Sequence, residues 1–121
     1  MSSLYQEILL DHYRNPHNHG RLSSPTHHGE AKNLTCGDSL LMDIQVNRGT
    51  IKAISFMGAG CAISQASASL LTDAVLGKNV DDVGRFTPEF VLNLLGTVLS
   101  PARVKCGLLS LETVKKALNN K

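Results

Sequence analysis

Apolar and polar residues alternate over two stretches in the first half of the chain, and helical spacing takes over in the second half. Leu40, Met42, Ile44 and Val46 fall on one face of a strand over 40–46, with Asp43 and Gln45 mostly on the other. Residues 50–57 alternate again, with Ile51, Ala53 and Ser55 set against Ile54 and Phe56. Asn47-Arg48-Gly49 between the two runs is a tight turn. Residues 30–35 predict a further short strand, which makes two or three antiparallel strands. Ahead of them, residues 3–14 read as an amphipathic helix carrying Leu4, Ile8 and Leu9, with Tyr5 and His12 beside them. Ser3 and Gln6 resemble a capping box, and Asn15-Pro16 ends the helix.

Gly58 and Gly60 break the last strand. A helix over 62–76 then carries an apolar stripe that includes Ile63, Ala66, Leu70 and Val75, and Gly77 closes it. A short helical turn is expected over 79–83. Thr87 as N-cap and Pro88 at the first position open a helix that runs to residue 97. Ser100-Pro101 reads as a break, and the last helix starts at Cys106 or Gly107 and runs to 119. Residues 15–28 (NPHNHGRLSSPTHH) are rich in Pro, Gly, Ser, Asn and His and predict a flexible arm or loop. A sheet first and helices mostly after it describe one α+β domain over residues 1–121.

Composition narrows the function. Hydrophobic residues make up 42% of 121, but aromatics only 4% with no Trp, so the core is built from Leu, Ile, Val and Ala. The net charge is +2 and no Lys/Arg run is present, so no nucleic-acid footprint is expected. No apolar run reaches the length of a membrane span. The first residues lack a signal-type apolar core, so a cytoplasmic location is expected, where thiols stay reduced. Three cysteines, an odd number, do not make a closed disulfide framework.

Cys36, Cys61 and Cys106 carry the candidate chemistry. Their spacing matches no zinc-finger pairing, and free cysteines often serve as small buried hydrophobes, so spacing alone leaves the question open. Their placement says more, because each falls at an expected element boundary. Cys36 lies in the turn Thr35-Cys36-Gly37-Asp38, Cys61 begins a helix, and Cys106 precedes the last one. Helix N-termini favour thiolate, and Arg103 and Lys105 near Cys106 act in the same sense. Asp38, two residues from Cys36, completes a set of three sulfurs and one oxygen that suits zinc or the irons of a small cluster. The five histidines all precede the sheet and read as loop-borne groups rather than ligands.

The ordered motifs then become recognisable. Asp11-His12-Tyr13-Arg14-Asn15-Pro16, Cys36-Gly37-Asp38, the run from Gly58 through Cys61 to Ser69, and Pro101-Ala-Arg-Val-Lys-Cys106 resemble the IscU/SufU/NifU N-terminal family over nearly the whole chain. The resemblance implies a three-stranded antiparallel sheet with helices packed on one face. It implies a site of Cys36, Asp38, Cys61 and Cys106 that holds zinc or assembles a [2Fe–2S] cluster. It also implies a pyridoxal-phosphate cysteine desulfurase as sulfur donor and apo iron–sulfur proteins as recipients. Lys105 stands where the IscU branch has a histidine, and Leu99-Ser-Pro-Ala-Arg103 replaces that branch's chaperone-recognition stretch. The insertion between the second and third cysteines that marks the SufU branch is absent, so SufU-like motifs sit on an IscU-length frame.

Three roles follow. The first is a cluster scaffold, with Asp38 as the hard and releasable ligand. The second is a zinc-dependent sulfur acceptor, with Cys36 as first choice of acceptor and Cys106 as second. The third is a structural zinc domain acting as an interaction module. The first helix and the loop to residue 28 are, by the resemblance, the surface that faces the desulfurase.

Overall fold

The computed structural model describes residues 3–34, 37–96 and 98–119. The alternating stretches form an antiparallel sheet in the order β1-β2-β3, from β1 (His27–Asn33), β2 (Asp38–Asn47) and β3 (Thr50–Ala59). The β2–β3 hairpin turns on Arg48 and Gly49 at φ 53° and 76°. Two successive left-handed residues match the right-handed twist of the strands they join. Five helices occur among the described residues: α1 (Ser3–Arg14), α2 (Ala62–Val75), α3 (Val80–Gly84), α4 (Pro88–Leu95) and α5 (Pro101–Asn119).

One face of the sheet is apolar and is covered by α5 over β1 and β2 and by α2 over β3. Leu40, Met42, Ile44, Ile51, Ile54 and Phe56 are buried there, against Leu71 and Val75 of α2 and Leu109 and Val114 of α5. Expected alternation placed Ile51 and the pair Ile54/Phe56 on opposite faces, yet all three are in the core. The reason is a bulge. Val46 pairs with Ile51 and Gln45 with Ala53, so Lys52 is passed over and the side-chain phase flips. α1 packs on α2 through buried Leu9 and His12, while Leu10 and Tyr13 are exposed on its flank. Leu95, Leu9 and Ala66 form a second, smaller apolar cluster.

Several boundaries move for local reasons. β1 begins at His27 rather than at residue 30. Thr87 caps α4 by accepting from Phe90 N–H at 3.3 Å, with Pro88 first in the helix. α4 stops two residues early because Gly96 takes a left-handed conformation, φ 67°. The largest shift is in α5, which begins at Pro101 instead of at Cys106. Proline at the first helical position opens a helix instead of breaking one, because the N–H it lacks has no partner there.

The stretch 15–26 has no regular helix or strand but lies against the fold by specific bonds. His17 N–H donates to Ser69 Oγ at 2.8 Å and Asn18 Nδ2 to Thr72 Oγ1 at 3.0 Å. Phe56 N–H donates to Asn18 O, and Gly20 N–H to Phe56 O, both at 2.9 Å. Arg21 Nε donates to Asp43 Oδ2 at 2.6 Å. At the other end of β3, Ile51 N–H donates to Lys78 O and Gly77 N–H to Ile51 O, again at 2.9 Å.

Candidate metal centre

β2 begins with Asp38, and its carboxylate is the hinge of the site. Only 1% of Asp38 is exposed. Oδ1 accepts from Cys61 N–H at 2.8 Å and Oδ2 lies 3.3 Å from Cys61 Sγ. Cys61 is the N-cap of α2, in extended conformation, and its own side chain makes no capping bond. The carboxylate thus does from another strand what a capping side chain does locally: it takes a backbone N–H at the positive end of the helix. Ser64, one turn in, donates to Cys61 O at 3.0 Å and stands 4.0 Å from its sulfur.

Cys106 comes from the third direction. Its side chain is 2% exposed, with Sγ 3.8 Å from Ala102 O. It sits in the second turn of α5, not ahead of it, so the dipole argument made for it does not hold, since that effect fades beyond the first turn. Cys61 keeps its place at a helix N-terminus. Arg103 and Lys105 are exposed in the first turns of α5. Cys36 lies outside the described residues, while Gly37 beside it has φ 75° and donates its N–H to Asn33 O at 2.8 Å.

Ligand atoms of Asp38, Cys61 and Cys106 all lie within 4.8 Å of one another, the one such group of three or more metal-binding side chains among the described residues. Donors around a tetrahedral ion at about 2.0–2.3 Å stand about 3.3–3.8 Å apart, so the group fits one ion after closing by about an ångström at the widest. Two soft sulfurs and one hard oxygen suit zinc or iron over magnesium or calcium. Gly60 makes the approach possible: it has φ 136°, and a Cβ on it would collide with the Asp38 carboxylate. In the sequence Gly60 reads as a strand breaker; that it clears Asp38, 22 positions earlier in the chain (60 − 38), is visible only in three dimensions.

Two polar clusters escaped sequence reading. On the open face of the sheet Asp43 is fully buried, holding Arg21, His28 Nδ1 at 2.7 Å and Leu22 N–H at 3.2 Å. Burial alone pushes its carboxyl up, but these hydrogen bonds and the guanidinium charge bring it below its ordinary value. Asp43 in turn holds the His28 imidazole above its ordinary value. Between α1 and α2, His12 Nδ1 lies 2.7 Å from Ser69 Oγ and its ring is 4.6 Å from that of His17. Burial, and then His17, lower the His12 pKa. No helix among the described residues is long and apolar enough to cross a membrane.

Comparison with known proteins agrees with this geometry. An iron–sulfur cluster assembly scaffold protein IscU of Thermotoga maritima is 34% identical, with 95% of this chain and 92% of the relative covered. A zinc-dependent sulfurtransferase SufU of Bacillus subtilis is 30% identical, with 98% and 91% covered. A crystal structure of a hypothetical protein superposes with a TM-score of 0.82 at 29% identity, covering 99% of this chain and all of that one. The family described as the NifU-like N terminal domain matches residues 4–120. A three-stranded sheet, a carboxylate and thiols converging from three elements, and this match over nearly the full length place the chain in the IscU/SufU/NifU N-terminal family.

Proposed function

We propose that the protein is an iron–sulfur cluster assembly scaffold. It receives sulfur from a cysteine desulfurase, assembles a [2Fe–2S] cluster on Cys36, Asp38, Cys61 and Cys106, and passes the cluster to apo iron–sulfur proteins. The observation that carries this reading is the gathering of Asp38, Cys61 and Cys106 within 4.8 Å. The name of the Thermotoga maritima relative supports it.

The cluster is cargo, and the chain's own groups decide how firmly it is held. Thiolates grip iron; the Asp38 carboxylate is a harder and less tenacious ligand, which favours release. Arg103 and Lys105 place positive charge beside the start of α5 and favour the thiolate of Cys106. Leu10 and Tyr13, 43% and 45% exposed and one turn apart on α1, offer an apolar surface for the desulfurase.

A second reading, a zinc-dependent sulfur acceptor, is favoured by the donor set, since three thiols and a carboxylate close a tetrahedron around zinc. Zinc would be held by the same four residues and would keep their thiols deprotonated. In sulfur transfer the acceptor thiolate attacks the terminal sulfur of the desulfurase persulfide, and the desulfurase cysteine leaves as thiolate. The burial of Cys106 favours Cys36 over it as acceptor.

One anaerobic preparation tests both. A visible cluster that forms with iron and sulfide and passes to an apo-ferredoxin supports the scaffold. About one zinc per chain with a severalfold rise in desulfurase turnover supports the acceptor. Tight zinc with neither property leaves a structural zinc domain.

A further inference from the structure

The run of small residues at the start of α2 places three buried serines in the helix, and each hydroxyl meets a different part of the molecule. Ser64 bonds to Cys61 O, Ser69 meets His12 and His17, and Ser67 crosses to α5. Ser67 Oγ donates to the carbonyl of Gly107 at 2.6 Å and stands 2.8 Å from Ser110 Oγ. Ser67 and Ser110 are 1% and 0% exposed. With the Ser67 proton on Gly107 O, Ser110 is the donor to Ser67.

The acceptor of this bond is the carbonyl of the residue that follows Cys106. Gly107 also sets how close α5 comes to α4 and to α2: a Cβ there would stand 3.0 Å from Leu95 Cδ1, 3.2 Å from Leu99 Cδ1 and 3.7 Å from Cγ2 of Ile63 in α2. One hydroxyl and one glycine therefore fix the register of α5 at the residue beside the thiol. The fixed reference is α2, the helix that starts from Cys61. A pair of alanines would fill the same interface at nearly the same stability, because the Ser67–Ser110 bond loses both partners and the Gly107 carbonyl, inside α5, keeps the amide one turn on as its donor. A directional bond does what two methyls do not: it selects one register.

We propose that Ser67, with Ser110 and the Gly107 carbonyl, is a positioning residue for the metal centre: it locks α5 against α2 so that Cys106 Sγ reaches the same point as Asp38 and Cys61. This rests on the reading of those side chains as metal ligands.

The test uses Co(II) as probe, titrated anaerobically into wild type, the Ser67→Ala/Ser110→Ala double variant, Gly107→Ala and Cys106→Ser, with thermal melts of each metal-free protein. The double variant should melt close to wild type, yet bind Co(II) about 10–100-fold more weakly, the range typical of a lost outer partner. Its thiolate-to-cobalt absorption should fall toward that of Cys106→Ser. Gly107→Ala, whose added methyl crowds Leu95 and Leu99 and touches Ile63 of α2, should push α5 out of place at that residue and show the same loss, which keeps the proposal testable if the double variant does not fold. Wild-type affinity and spectrum in either folded variant overturns the positioning role while leaving the metal centre intact. A wild-type protein without thiolate–cobalt absorption, unchanged by Cys106→Ser, overturns the metal reading and the positioning role together.

Discussion

Gly60 and Asp38 share a volume that admits a hydrogen and nothing larger: the Asp38 carboxylate fills the place where a side chain on Gly60 would begin. The backbone at Gly60 is also in a region that residues with a side chain rarely adopt, φ 136°. Gly60→Ala should therefore lower stability by about 2 kcal/mol or more, from strain and displacement together. It should weaken zinc binding as strongly as Asp38→Ala does. Urea melts and zinc competition titrations check both; a variant with wild-type zinc affinity would show that Asp38 is not a ligand.

Asp38→Ala separates two duties of one carboxylate. Losing the acceptor for Cys61 N–H should cost about 1 kcal/mol, as for other lost helix caps. If the carboxylate makes the cluster releasable, the reconstituted cluster should persist longer in the variant. The decay of its visible absorption under oxygen-free chelation measures this, and equal lifetimes would count against the role.

Two histidines impose opposite pH limbs. His12 has a lowered pKa, so the contribution of its neutral form is fully present above 6.5 and is lost as pH falls through the lowered value. His28 has a raised pKa, so its contribution is fully present below 6.5 and is lost as pH rises through the raised value. Urea midpoints should peak near the ordinary histidine value. His12→Asn should flatten the acid limb and His28→Asn the alkaline one.

Asp43 ties the loop ahead of β1 to the sheet through Arg21 and the Leu22 amide. Asp43→Ala should free that loop. Trypsin cuts after arginine, so limited proteolysis followed by mass spectrometry should show cleavage after Arg21 that is slow in wild type and about tenfold faster in the variant. Equal rates would mean that the backbone bonds to Phe56 are sufficient by themselves.

Element types and order were legible because strong periodicity and turn residues agree: Asn47-Arg48-Gly49 between alternating runs, Thr87-Pro88 ahead of an apolar helix. The start of α5 was misread because Pro101 carries two meanings, break or first residue, and only the packing of the residues after it decides between them. The bulge at Lys52 left no mark in residue type, so the phase of β3 was ambiguous. Asp38, Cys61 and Cys106 were singled out in the sequence, and the fold brings them together. The carboxylate's hold on Cys61 N–H, the clearance at Gly60 and the burial of Asp43 depend on contacts between residues far apart in the chain, which no local pattern encodes.

The bonds that bracket β3 at Ile51 and Phe56 have a meaning for assembly. An outer strand with open amides is a template on which a second chain can lengthen the sheet and start an aggregate. Here both residues already exchange N–H and C=O with segments of the same chain, one from the loop after α1 and one from the turn after α2. The rim is closed at those two points by the molecule itself. Those two closures divide β3, so a second copy of the chain is left a shorter uninterrupted run of backbone on which to pair.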